Sequence, residues 1–216
     1  FTAVTYRSSV GYTFFEYYED AEKTIPVDFS KDYANDQNEM TVYCYCLPGE
    51  WTRLNSKTTN INLKYNANYY LEEDIDLGGK VLNFNKSGSW MGNYKGKIVG
   101  NGHTISNFTL NWQTKLVSAV GLFKELEKGA QITDVTFADV TIIADSTQAN
   151  TPAFGAIAPK IGEGVVLRGV HFNNLTVRYT ENLSIKGLTD PAIGYEIGKD
   201  VAIEDCSLDV RFEKLP

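Results

Sequence analysis

Ile132-Thr133-Asp134-Val135-Thr136-Phe137, followed by Val140 and Ile142, is the stretch whose reading decides the fold. Thirty-five residues later the chain reads Leu167-Arg168-Gly169-Val170-His171-Phe172, then Leu175 and Val177. Thirty-six residues after that come Ile203-Glu204-Asp205-Cys206-Ser207-Leu208, with Val210 one place early. Upstream by 27 residues, Ile105-Ser106-Asn107-Phe108-Thr109-Leu110 fits the same frame. The shared rule is I-x-x-V-x-F, filled by Ile, Val, Leu, Phe and once by Cys. A second block keeps step: Ile157-Ala158-Pro159-Lys160-Ile161-Gly162 matches Ile193-Gly194-Tyr195-Glu196-Ile197-Gly198 at the 36-residue spacing. Gly129 and Gly164 take equivalent places, each three residues before the ladder Ile or Leu. Several positions in register over four copies specify a repeat architecture.

Elementary geometry selects the type of repeat. Alternation at period two, with β-branched and aromatic residues on one face, predicts strands rather than helices. The Ile-x-x-Val step breaks that alternation by one residue, as a bend between two short strands does. Gly, Asn and Asp supply the turns. Stacked repeats pair like strands in parallel, about 4.8 Å apart, and align the apolar residues as inward ladders. The expected fold is therefore all-β: a parallel β-solenoid, as a right-handed β-helix. Ankyrin and tetratricopeptide repeats of similar length need long 3.6-residue periodicity, and a propeller blade needs antiparallel hairpin turns; the sequence shows neither. The first rung is expected at Tyr69–Gly79, with Ile75-Asp76-Leu77 lying 33 residues before Phe108-Thr109-Leu110. Lys86–Gly102, with five glycines and Trp90, reads as turns plus a protruding loop.

Composition bounds the rest. The 216 residues carry 20 Lys+Arg against 27 Asp+Glu, a formal charge of −7, with 43% hydrophobic residues. That is a globular composition, long enough for a sizeable core. No run approaches the roughly 18 apolar residues of a membrane span. The acidic balance argues against nucleic acid as the main partner, which calls for a basic face. Of 13 Tyr, ten precede residue 71, whereas sixteen of 18 Gly follow residue 77. The change divides the chain into a Tyr-rich N-terminal β region, residues 1–68, and a solenoid, residues 69–216. Strand-like runs in the first part are Tyr12–Tyr18, Met40–Tyr45 and Asn60–Tyr65, separated by the polar Ser30–Asn38. This region is expected to cap or pack on the open end of the solenoid, since repeat arrays need protected edges. Its tyrosines suit protein or sugar recognition, and equally suit ordinary strands. A start at Phe1 without Met and an end at Pro216 without a charged tail suggest a chain trimmed from, or continuing in, a longer parent.

No motif specifies a reaction. Cys44 and Cys46 alternate on one strand face, about 7 Å apart, too far for an easy bridge and wrongly spaced for zinc. Cys206 reads as a core residue. Parallel β-helices often carry polysaccharide lyases and glycoside hydrolases, which need paired carboxylates or an acid cluster with a basic residue. Asp134 and Asp205 fall at one repeat position with Gly169 between them, and Asp139, Asn174 and Asp209 flank the next strand. Solvated turn residues are the simpler account of all five. His103, in an Asn-Gly-His-Thr turn, and His171, on a ladder strand, lack an adjacent nucleophile and read as structural. Glu72-Glu73-Asp74-Ile75-Asp76 is acidic enough for calcium but follows no calcium-loop pattern. Of the sequons at Asn85, Asn107, Asn174 and Asn182, those at Asn107 and Asn174 sit inside the repeat frame, where a step from Asn into a strand is expected anyway. No catalytic, metal-ligating or cofactor-binding residue is assigned.

Gly100-Asn101-Gly102-His103-Thr104-Ile105-Ser106-Asn107-Phe108-Thr109-Leu110, Val120-Gly121-Leu122-Phe123 and Gly129-Ala130-Gln131-Ile132-Thr133-Asp134-Val135 together resemble the GLUG-motif repeats of bacterial surface proteins. Such repeats occur in large adhesins, in immunoglobulin A peptidases outside the protease domain, and in many exported proteins of gut bacteria. The resemblance spans roughly residues 70–210 and is most specific from Gly96 to Ile142. It departs at Lys124, where the family has Gly after Gly-Leu-Phe, and at the degenerate Ala153-Phe154-Gly155-Ala156 and Ala192-Ile193-Gly194. It implies a β-solenoid, an extracytoplasmic location at the bacterial cell surface or in secretion, and an adhesion or scaffold role without catalytic residues. The expected function is thus a noncatalytic module that contacts a glycan or host surface protein, or spaces further domains of a longer parent. The alternative is a carbohydrate-active β-helix enzyme, which should gather two carboxylates and a basic residue in one cleft.

Overall fold

The structure, a computed structural model, describes residues 11–28, 30, 41–58, 63–83 and 92–215. Among them there are strands and no helix. By contacts the chain forms two compact units, Phe1–Trp51 and Thr52–Pro216. The compositional change near residue 70 thus falls inside the second unit, at its first rung, and residues 52–67 belong with the solenoid.

The N-terminal unit is an antiparallel pair of β1 (Tyr12–Tyr18) and β2 (Tyr43–Pro48), with a bulge between Phe14 and Glu16. Phe15 is buried beside Tyr45 and Trp51, at ring-centroid distances of 6.0 and 6.3 Å. Cys44 and Cys46 lie on β2 as free thiols. Of the expected third strand, residues 60–62 lie outside the described residues, and Leu63–Tyr65 are not in a strand. The polar segment 31–38 is likewise outside them.

The second unit is a parallel β-solenoid of about four turns. Its strands are β3 (Trp51–Leu54), β4 (Asn68–Leu71), β5 (Ile75–Asn83), β6 (Asn93–Tyr94), β7 (Lys97–Val99), β8 (Thr104–Thr114), β9 (Glu125–Leu126), β10 (Gln131–Ser146), β11 (Ala158–Ile161), β12 (Val166–Tyr179), β13 (Gly194–Ile197), β14 (Ala202–Glu204) and β15 (Ser207–Lys214). One sheet runs β14-β12-β10-β7-β4-β3, with β15, β8 and β5 continuing the same rungs in line. The other runs β13-β11-β9-β6. β10 pairs with β12 from Gln131↔Val166 to Ala144↔Tyr179, a constant step of 35 residues.

The repeat positions become core ladders. Ile98, Ile132, Leu167 and Ile203 form one; Ile105, Phe137, Phe172 and Leu208 the next; Phe108, Val140, Leu175 and Val210 a third. In the three inner rungs these side chains are buried, and Phe137 stacks on Phe172 at 5.3 Å and 28°. Like side chains one rung apart pack with little void, which is where most of the apolar burial lies.

The broken alternation has a backbone cause. Asp134, Gly169 and Asp205 stand at one repeat position with φ of 52°, 60° and 49°. Asn107, Asp139 and Asn174 do the same five residues on, with φ of 59°, 51° and 59°. A single left-handed residue inserts one outward position and bends the strand, and Asn, Asp and Gly tolerate that conformation best.

Three sequence expectations change. Ile105 does not align with Ile132; it pairs with Phe137, and Phe108 with Val140. With two bends per turn, I-x-x-V-x-F spacing occurs twice, at Ile132-Val135-Phe137 and again at Phe137-Val140-Ile142, so apolar spacing alone leaves a five-residue ambiguity. Likewise Ile75 pairs with Ile105 rather than Ile75–Leu77 with Phe108–Leu110, because the Leu77–Gly79 stretch is absorbed in a bulge between Asp76 and Lys80. Finally, Asn93–Tyr94 and Lys97–Val99 are strands β6 and β7 rather than loop, while 84–91, with Asn85 and Trp90, lie outside the described residues.

Candidate functional site

A cleft in the second unit lies on the β9-β11-β13 sheet and the corner after it. Parallel register sets Lys160 of β11 between Glu125 of β9 and Glu196 of β13. The alternating positions Leu126 and Ile161 turn inward and are buried, which turns Glu125 and Lys160 outward, and Glu196 follows Lys160 in register. One corner further, Glu127, Gly162 and Gly198 also line the cleft; a Cβ on Gly162 would lie 2.9 Å from the Leu126 carbonyl oxygen and one on Gly198 2.7 Å from the Glu163 nitrogen, so the glycines let successive rungs approach closely. Lys128 and Glu163 close the cleft. The volume is about 510 Å³.

The charges are held by pairing. Lys160 Nζ lies 2.8 Å from Glu125 Oε1, and Lys128 Nζ lies 2.8 Å from Glu163 Oε1. The Tyr65 hydroxyl donates to Glu127 Oε2, and Asn93 Nδ2 donates to Glu127 Oε1 at 2.9 Å. The Tyr65 bond, then that of Asn93, holds the Glu127 carboxyl below the usual carboxylate range. The hydrogen bond to Glu125 raises the Lys160 ammonium above the ordinary lysine value. Both groups therefore keep their charge at neutral pH. A general acid needs a raised carboxyl and a lysine base a lowered ammonium, and both shifts here run the other way. The arrangement offers fixed acceptors and donors, four carboxylates against two ammonium groups, beside the half-exposed Ile197.

A smaller hollow of about 310 Å³ lies in the N-terminal unit, lined by Phe15, Glu16, Tyr17, Tyr18, Pro26 and Val27. The Tyr18 hydroxyl donates to Glu16 Oε2, and that bond above all raises its pKa to about 12.

The residues weighed from sequence lie elsewhere. Asp134 and Asp205, with Gly169 between them, are left-handed bend residues on the first sheet, away from the cleft's charged residues. Asp139, Asn174 and Asp209 join as a polar ladder: Asn174 Nδ2 donates to Asp139 Oδ1 at 2.6 Å, and the Asn174 N–H donates to Asp209 Oδ2 at 3.3 Å. Asn107 occupies the equivalent bend, and Asn182 Nδ2 donates to the Ser146 carbonyl at 3.2 Å. His103 Nδ1 lies 3.2 Å from Asp74 Oδ1, and His171 Nδ1 lies 2.8 Å from Ser207 Oγ on the next rung. The acidic run is dispersed among separate partners. Glu72 pairs with Arg53 at 2.7 Å, Glu73 accepts from the Ser56 N–H at 3.2 Å, Asp74 from Thr104 at 2.8 Å and Asp76 from Gly78 at 2.8 Å. Among the described residues no group of three or more His, Cys, Asp or Glu side chains is placed to hold a metal ion, and no helix is long and apolar enough to cross a membrane. Cys206 is half-buried against the core, which raises its thiol pKa.

The six charged residues of the cleft were not singled out from sequence. Their signal was present, since Lys160-Ile161-Gly162 and Glu196-Ile197-Gly198 sit inside the second repeat block. What the spacing did not show is that Glu125, on a two-residue strand, and Glu127, just after it, complete the row. No protein-family model, curated protein or solved structure matches the chain.

Proposed function

We propose that this chain is a noncatalytic bacterial cell-surface or secreted module, acting in adhesion or as a scaffold, and that its solenoid presents the Glu125–Lys160–Glu196 cleft to a glycan or host surface protein. The observation that carries this reading is the charge state of the cleft. Glu127 is held ionised and Lys160 protonated, which suits persistent hydrogen bonding to a polyhydroxylated or polar partner and not proton transfer. The ladder beneath adds preorganisation for Glu125 and Lys160, whose strand neighbours Leu126 and Ile161 are locked in the core. The GLUG-like repeats support the extracytoplasmic location.

The test is a glycan array and a panel of extracellular-matrix proteins, probed with the whole chain and with Lys160→Glu. Saturable binding by the parent chain, weakened at least tenfold in Lys160→Glu with an unchanged thermal melt, is the expected result. Binding indifferent to Lys160→Glu would move the site off this cleft.

One observation favours a second reading, a carbohydrate-active enzyme. The cleft does gather carboxylates and lysines in one place, as the sequence-level criterion for an enzyme required. Incubating the chain with the same polysaccharides and measuring reducing ends and unsaturated uronates separates the two: turnover of any polysaccharide overturns the noncatalytic reading.

A further inference from the structure

The solenoid's last rung differs from the others in ways that fit one partner. Its apolar ladder residues are exposed. Ile197 and Ile203 are 49% and 42% exposed, where their counterparts one rung earlier, Ile161 and Leu167, are 1% and 0%. Leu208, Val210 and Phe212 are only partly buried, whereas Phe172, Leu175 and Val177 beneath them are fully buried. Among the described residues β15 pairs only with β12, so its outer edge carries unpaired backbone groups. An apolar solenoid end with an open edge is a template for a further strand.

The edge is also straight. Each inner rung bends at a left-handed Asn107, Asp139 or Asn174, but β15 has one residue fewer. Its pairing with β12 shifts between Phe172↔Leu208 and Leu175↔Val210, and Asp209 is not left-handed. The missing residue is the one that made Val210 fall one place early in the repeat. The result is eight residues of regular strand, Ser207–Lys214, alternating exposed and half-buried.

We propose that β15 is a homodimerisation edge, pairing antiparallel with β15 of a second copy of this chain across a two-fold axis at Val210. Two observations select this occupant and register. The Leu215 N–H donates to the Tyr179 carbonyl on β12 at 2.7 Å. By alternation Phe212, Val210 and Leu208 direct N–H and C=O to the open edge. Val210 opposite its own copy, and Leu208 opposite Phe212, then each exchange two main-chain hydrogen bonds. That register also sets Asp209 opposite Arg211 of the second copy, twice by symmetry, with the apolar side chains meeting on the core face. A two-fold at Arg211 instead sets Arg211 against itself and Asp209 against Glu213, like against like. The Val210 register is thus self-complementary in hydrogen bonding, apolarity and charge.

Sedimentation equilibrium of the whole chain over a dilution series tests this directly. The expected species is a reversible dimer with twice the 24.1 kDa chain mass. Val210→Pro removes an N–H that faces the open edge and not β12, and leaves a monomer with an unchanged circular dichroism spectrum. Arg211→Asp sets like charges opposite and weakens the dimer about tenfold, while the exchanged pair Asp209→Arg with Arg211→Asp restores it. Arg211 is largely exposed, so its variants carry the test even if Val210→Pro fails to fold. A parent chain that stays monomeric, a mass that grows without limit through head-to-tail stacking, or a dimer indifferent to Val210→Pro or to Arg211→Asp overturns the proposal.

Discussion

Replacing Phe137 by Ala probes the ladder at its centre. Phe137 is fully buried, lies between Ile105 and Phe172 in the same ladder, and stacks on the Phe172 ring at 5.3 Å. Truncating such a ring removes its transfer free energy and leaves a cavity that stiff neighbouring rungs cannot close, a loss of about 3–5 kcal/mol. For a unit of this size each kcal/mol lowers the melting temperature by about 2–4 °C, so Phe137→Ala is expected to melt about 6–20 °C lower. The stacked pair adds a coupling of roughly 0.5–1.5 kcal/mol, so Phe137→Ala with Phe172→Ala should cost less than the two single changes together. Leu208→Ala is the internal control. It occupies the same ladder on the exposed last rung, where about 1–2 kcal/mol of transfer energy is at stake. Urea unfolding of the four variants, followed by circular dichroism, measures all of this. A Phe137→Ala cost below about 1 kcal/mol, or no larger than that of Leu208→Ala, would refute the assignment of Phe137 to the central ladder.

Two further outcomes follow from the bends and the surface carboxylates. Asp134→Gly should be nearly neutral, since the next rung carries Gly169 at the same position with φ of 60°, whereas Asp134→Val should cost about 1–2 kcal/mol for a β-branched residue in the left-handed region; equal stabilities of the two variants in urea would remove the bend argument. The Thr104 N–H foremost, with His103 assisting, holds the Asp74 carboxyl below its ordinary value against the opposing desolvation. A lowered folded-state pKa adds stability above the unfolded value of about 4 that is lost as pH falls through the folded one. Asp74→Asn keeps the acceptor but not the titration, so its urea midpoint should fall less than the parent's between pH 7 and pH 3; parallel losses would exclude Asp74 from the acid transition.

How much was legible beforehand differs from element to element. The step from Ile132-Val135-Phe137 to Leu167-Val170-Phe172 appears unchanged as the β10–β12 pairing, because identical side-chain spacing on successive rungs is what parallel stacking requires. The step from Ile105 was misread, because Phe137 closes one apolar triplet and opens the next, and spacing cannot say which bend a triplet belongs to. Asp134 and Asn174 were legible as turn residues, since Asp and Asn are among the few that accept a positive φ. The Glu125–Lys160 pair was not legible, because Glu125 lies on a two-residue strand with no period of its own.

The sequence by itself therefore determined the architecture, an all-β parallel solenoid with a bend at the step that breaks the alternation. A repeating pattern of apolar and left-handed-tolerant residues has one low-energy way to stack. Only the tertiary structure decided the register of the rungs at Ile75 and Ile105, the cleft and the edge. Each depends on which residues of different rungs stand side by side. A single skipped residue, as at Val210, changes that neighbourhood and straightens a strand while leaving the local alternation of β15 intact.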